Sequence, residues 1–137
     1  VITTPVFFLN TNSEFTFMEK AVLIEAIKEN AKYFLEEAGE FFPFAVCVND
    51  EDQFVPIYLD DEEEFEDDES MIEELKFCVS KAIEEESFTI GAIAFDTIVT
   101  LSDTEQNAIR VLFLKENNEI TAADFIYSIK NKKLNFS

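Results

Sequence analysis

The stretch Phe88–Leu101 constrains this chain most. It is apolar on both faces, rich in Ile, Val, Thr and Phe, and almost unbroken. A strand with one solvated face would show polar residues at alternate positions, so this run is expected at the centre of a sheet. Two more strands follow it. Residues 108–115 alternate, with Ile109, Val111 and Phe113 on one side and Arg110, Leu112 and Leu114 on the other. Residues 120–129 place Phe125 and Tyr127 on one face. Residues 102–105 read as a loop, and Asn117-Asn118 suits the positive φ of a tight turn.

Upstream, residues 42–49 alternate as well: Phe42, Phe44, Val46 and Val48 share a face. Residues 55–59 resume the pattern after a short polar loop, which predicts a hairpin. Pro43 and Pro56 each remove a ladder donor, so each is expected at an outer position or an interruption.

Two helices are predicted. Thr16-Phe17-Met18-Glu19 fits a capping box. From there Phe17, Ala21, Ile24, Ile27, Ala31, Phe34 and Ala38 recur at steps of three and four, a helical stripe over 17–38. Gly39 follows and suits a left-handed C′ position. Ser70-Met71-Ile72-Glu73 fits a second capping box, and Ile72, Leu75, Val79 and Ala82 mark a helix over 71–86.

These elements predict an α+β fold in one domain, 1–137. Short loops between consecutive strands imply antiparallel pairing. The expected architecture is a five-stranded, mainly antiparallel sheet with both helices on one face, in the order α-β-β-α-β-β-β. An N-terminal arm, 1–12, and a C-terminal tail, 130–137, are expected to be mobile, as is the acidic loop 60–69.

Charge then narrows function. The chain of 137 residues has 30 Asp and Glu against 10 Lys and Arg, a formal net charge of −20. Nucleic-acid binders and proteins that dock on anionic lipid need the opposite sign, so neither partner is expected. The charge is regional: residues 36–86 hold 20 acids and 2 bases, which is −18 of the −20. Like charge so concentrated raises the free energy of the compact state, and a partner bearing Lys and Arg would relieve it.

The candidate partner-binding residues are Asp50, Asp52, Asp60, Asp61, Glu62, Glu63, Glu64, Phe65, Glu66, Asp67, Asp68, Glu69, Glu84, Glu85 and Glu86. Phe65 interrupts the acid run and is read as an apolar anchor, for a partner or for the loop itself. Glu84 to Glu86 lie at a helix C-terminus, the wrong end of the dipole for negative charge. The plain alternative is that run 60–69 is simply a solvated loop.

Catalytic and cofactor motifs are missing. The chain has no His, no GxSxG motif and no Cys-His pair, which leaves the common nucleophile activations without a base. Its two glycines, Gly39 and Gly91, build neither a P-loop nor a GxGxxG turn. Asp50-x-Asp52 opens like a calcium loop, but position 54 is Phe and the glycine is missing. No catalytic residue, cofactor or metal site is therefore expected. Cys47 and Cys78 have no zinc spacing and are read as buried, reduced thiols of a cytoplasmic protein. Val6-Phe7-Phe8-Leu9 is too short for a signal-peptide core. Asp96, Arg110 and Asp124 are charges within apolar strands. They are read as a salt-bridged cluster, with a polar pocket on the sheet as the functional alternative.

Two stretches carry a resemblance. Glu40-Phe41-Phe42-Pro43-Phe44-Ala45 precedes Pro56, and Ala92-Ile93-Ala94-Phe95-Asp96 precedes Asn107-Ala108-Ile109-Arg110-Val111. Their order resembles a family of small, uncharacterised bacterial α+β proteins with F-x-P-F, A-x-A-Y/F-D and D-A-I-x-V strands. Asn107 departs from that pattern's Asp. The resemblance covers roughly residues 17–127 and implies the fold, with no activity to transfer.

The expected function is a non-enzymatic acidic protein that binds a basic protein surface, as an immunity-type or inhibitor-type protein does. A small-ligand protein or enzyme with a pocket between the first helix and the sheet, around Asp96 and Arg110, is the second reading. A structural homodimer is the third.

Overall fold

The computed structural model describes residues 2–3, 7–8, 16–49, 51, 53–59, 67–85, 88–115 and 120–137, with side chains from Lys20 onward. Strands β1 (Ile2–Thr3) and β2 (Phe7–Phe8) come first, then helix α1 (Thr16–Ala38). The β3 (Phe44–Asn49) and β4 (Gln53–Tyr58) hairpin follows, then helix α2 (Asp68–Glu85). Four strands complete the chain: β5 (Phe88–Leu101), β6 (Thr104–Lys115), β7 (Ile120–Lys130) and β8 (Lys133–Phe136). The fold is α+β, with a curled, antiparallel sheet of six main strands in the order β4-β3-β5-β6-β7-β8. Strands β1 and β2 add two-residue pairings along β4.

Strand β5 lies between β3 and β6 over Ile90–Ala94, as its two apolar faces require; from Phe95 to Leu101 the described pairing is with β6 alone, and Ile98 and Leu101 are exposed there. The expected count of five strands misses β8, which the tail 130–137 supplies. Its tight turn comes from Asn131 and Lys132, both in the left-handed region at φ 53° and 64°. Ser102 and Asp103 do the same between β5 and β6, at φ 50° and 63°. Left-handed pairs of this kind match the twist of a two-residue hairpin. The Asn117-Asn118 turn falls outside the described residues.

Pro56 sits where the outer pairing of β4 is interrupted. Strand β1 partners Ile57 and Tyr58, β2 partners Gln53 and Phe54, and the described pairing skips Val55 and Pro56. Pro43 stands just before the first residue of β3.

The helices do not share a face. Along β3, Phe44, Val46 and Val48 pack with Leu23, Ile27, Ala31 and Leu35 of α1. The intervening Ala45 and Cys47 pack with Leu75, Val79 and Ile83 of α2. Successive side chains of a strand point to opposite sides, so one helix covers each face. The sheet curls around α1. Asn30 accepts a hydrogen bond from the Tyr58 hydroxyl of β4, 3.5 Å, while Lys28 lies 4.9 Å above the Phe136 ring of β8.

The buried stripe of α1 is also displaced from the expected one. Leu23, Ile27, Ala31 and Leu35 are buried, whereas Ala21 and Ala38 are exposed and Ile24 and Phe34 are half-buried. Both stripes have helical spacing and share Ile27 and Ala31, and packing inside the curl turns Leu23 and Leu35 inward.

Helix α2 approaches β5 closely because Gly91 has no side chain there. A Cβ at that position would collide with Val79 Cγ1 and come within 3.3 Å of Cys47 Sγ. Cys47 is buried and Cys78 half-buried, and no disulfide joins them. Among the described residues, no helix is long and apolar enough to cross a membrane.

Candidate functional site

Helix α2 begins at a cap different from the one the sequence suggests. Asp67 Oδ1 accepts a hydrogen bond from the Ser70 N–H at 2.8 Å, and the Asp67 carbonyl accepts one from the Met71 N–H at 3.3 Å. Asp67 is thus the N-cap, and Ser70 lies in the first turn. That backbone bond holds the Asp67 carboxyl below its ordinary range. Asp68 and Glu69 add negative charge to the first turn, where the helix dipole favours it.

The buried side of α2 is Leu75, Val79, Ala82 and Ile83. The opposite side carries a stripe at steps of four: Glu69, Glu73, Phe77, Lys81 and Glu85, all exposed. Such positions stack on one line along a helix. Phe77 is 56% exposed at the middle of this line. Lys81 Nζ lies 5.0 Å from its ring centroid, and Lys76 pairs with Glu73 at 3.0 Å. A shallow depression beside the ring is lined by Asp67, Glu69, Ser70, Glu73, Glu74 and Phe77. At the far end Glu84 and Glu85 are exposed, with no base in the last turn.

Of the expected partner-binding residues, Asp67, Asp68, Glu69, Glu84 and Glu85 are exposed on this helix and its cap. Asp50, Asp52, Asp60, Asp61, Glu62, Glu63, Glu64, Phe65, Glu66 and Glu86 lie outside the described residues. Phe77 was not among the expected residues. Its signal is present in the sequence, because it sits between Leu75 and Val79 and off their stripe. An aromatic there has no buried place on the helix.

Asp96, Arg110 and Asp124 do not form one cluster. Arg110 and Asp124 are register partners on β6 and β7. The guanidinium donates through Nε to Oδ1 at 2.7 Å and through Nη2 to Oδ2 at 3.0 Å. These bonds hold the Asp124 carboxyl below its ordinary range and raise Arg110. Asp96 faces the other way, toward the α1 side, and accepts the Tyr127 hydroxyl at 2.7 Å. Burial pushes its carboxyl up, against the pull of that bond. The three charges cannot converge because Phe95, not Asp96, is opposite Arg110 in the ladder. A pocket between α1 and the sheet could therefore not draw on both Asp96 and Arg110.

Among the described residues, no group of three His, Cys, Asp or Glu side chains is placed to hold a metal ion. Compared with known proteins, the chain matches no family model, no curated protein and no solved structure.

Proposed function

We propose that this chain is a non-enzymatic, cytoplasmic docking protein whose acidic side, centred on the outer face of α2, takes a basic protein surface. An immunity-type or inhibitor-type protein works in this way. The observation that carries the reading is Phe77, a large apolar ring held in water among carboxylates. Carboxylates steer a cationic partner and set its orientation. An aromatic at the centre of the contact supplies area that electrostatics alone does not. Lys81 over the ring shows that its face already accepts a cation. An arginine or lysine of the partner would displace Lys81 from that face, with Glu73 and Glu74 beside it.

The test is capture on the immobilised chain, with each retained protein identified by mass and its charge determined. A basic protein should be retained at low salt and released as salt rises. Phe77→Ala, which leaves the charge unchanged, should weaken retention, as should the triple change Glu69→Gln, Glu73→Gln and Glu74→Gln. Retention indifferent to salt and to both variants would refute the reading.

A further inference from the structure

We propose that the open edge of β5, from Phe95 to Leu101, takes an extended segment of a basic protein as an added strand. This edge is a different part of the molecule from the outer face of α2, and the inference does not depend on that surface.

Pairing decides where the edge opens. Strand β3 partners β5 as far as Phe44 opposite Ala94. The next step of that register would set Pro43 opposite Phe95, and proline has no N–H to give to a ladder. Among the described residues, β5 beyond that point pairs with β6 alone. Leu101 and Thr104 close the two-residue turn at Ser102 and Asp103, and the closing pair of such a turn exchanges both ladder bonds. Alternation then directs the N–H and C=O groups of Asp96, Ile98 and Thr100 away from β6, to the open side.

Elsewhere the sheet's margins are guarded. Strands β1 and β2 lie along β4, and Glu36 accepts the Leu134 N–H of β8. From Phe95 to Leu101 the chain has neither Pro nor Gly, and Ile98 is 61% exposed. An edge left open in this way is a template for one more strand. Backbone bonds supply the affinity, and alternate side chains supply the selectivity.

The flanking charge selects the occupant. Met71 of α2 and Phe95 pack against the same cluster, which brings the exposed Asp67, Asp68 and Glu69 of the α2 N-terminus to this end of β5. Burial, and then the charge of Asp68, raise the Asp96 carboxyl, so the two acids are within electrostatic reach. On the β3 side, Phe41 packs edge-on against Phe44 with ring centroids 5.7 Å apart, and the exposed Glu37 and Glu40 lie just before it. A strand bearing Lys or Arg meets opposite charge on both flanks. A second copy of this chain would set the same carboxylates against these and be repelled.

The probe is a capped peptide of alternating valine and lysine, titrated into the isotope-labelled full chain. At saturation the amide hydrogens of Asp96, Ile98 and Thr100 should exchange at least about tenfold more slowly, while those of Thr97 and Val99, already bonded to β6, change little. A version of the peptide methylated at every backbone nitrogen keeps its charge and loses its donors, and should bind at least about tenfold more weakly. Glutamate in place of lysine should weaken binding to a similar extent. Ile98→Pro should do the same from the protein's side. Its N–H belongs to the open edge, so no internal ladder bond is lost, and circular dichroism checks the fold. Phe77→Ala should leave peptide binding unchanged, so this site and the α2 surface fail separately. Three amides indifferent to the peptide, or a methylated peptide that binds as well as its parent, overturns the proposal. Amides already protected in the free chain overturn it too: protection that grows with protein concentration puts a second copy on the edge, and protection independent of concentration puts the chain itself there.

Discussion

Tyr127 and Asp96 belong to strands that are not neighbours, yet the tyrosine hydroxyl donates to Asp96 Oδ1 at 2.7 Å across β6. The bond ties β7 to β5 on the side that cups α1. Burial, and then this bond, raise the Tyr127 hydroxyl above its ordinary value of 10.0. Burial likewise raises Asp96 above 3.8.

The pH dependence follows with its sign. Both groups bind their proton more tightly in the folded chain, so each contribution is complete below the unfolded value and is lost as pH rises. For Asp96 the loss begins near 3.8 and ends at its raised folded value. For Tyr127 it begins near 10.0. Tyr127→Phe should flatten the alkaline loss and cost about 1 kcal/mol at neutral pH, because Asp96 keeps its burial and loses a donor. Asp96→Asn should remove the acidic step while keeping an acceptor for the hydroxyl. Denaturant melts over a pH series measure both.

Gly91 is where α2 meets the sheet most closely. Gly91→Ala should destabilise the chain by about 1–3 kcal/mol, the usual range for overpacking a filled core. The colliding atom belongs to Val79, so Val79→Ala should recover part of the loss in the double variant. A double-mutant cycle from thermal melts reads the coupling. Additive losses would show that the sheet, not Val79, absorbs the added methyl.

Glu36 guards the outer edge of β8. Its Oε2 accepts the Leu134 N–H at 2.8 Å, which satisfies a backbone donor on an edge strand. Unpaired edge donors invite pairing with another chain. Glu36→Ala should speed exchange of the Leu134 amide hydrogen and cost about 1 kcal/mol. Hydrogen exchange followed residue by residue is the measurement, and an unchanged Leu134 rate would rule out this role for the carboxylate.

The β7–β8 turn places Lys132 at φ 64°, a conformation that costs most L residues about 1–2 kcal/mol. Lys132→Gly creates the residue pair most favoured in such turns. It should raise the unfolding midpoint, with a gain of about 1 kcal/mol by that scale.

Much of the fold was legible because local patterns and global packing agree. The alternation of residues 44–49 and 108–115 assigns each side chain its face, whereas Phe42, expected to share the face of Phe44, precedes β3 and is 66% exposed; β5 reads as central from its two apolar faces. Gly39, at φ 78°, donates to the Leu35 carbonyl at 3.0 Å and ends α1 as its position suggests. The same apolar character on both faces of β5 also held a clue to the layering, since each face needs a cover. Strand β8 was harder to see. Four residues, with a lysine and an asparagine among them, carry almost no strand signal of their own, and β7 supplies their pairing.

The sequence by itself determined the strand and helix periods, the left-handed stop of α1 at Gly39 and the regional charge, all of which arise from neighbours within a few positions along the chain. Only the tertiary structure decided that the helices take opposite faces and that Asp96 turns away from Arg110. Tertiary contact also chose the stripe of α1 that is buried and left Phe77 in water. Side-chain period specifies that two groups lie on the same or opposite sides of an element. Which element then covers each side depends on pairing between distant strands, and those contacts form through space.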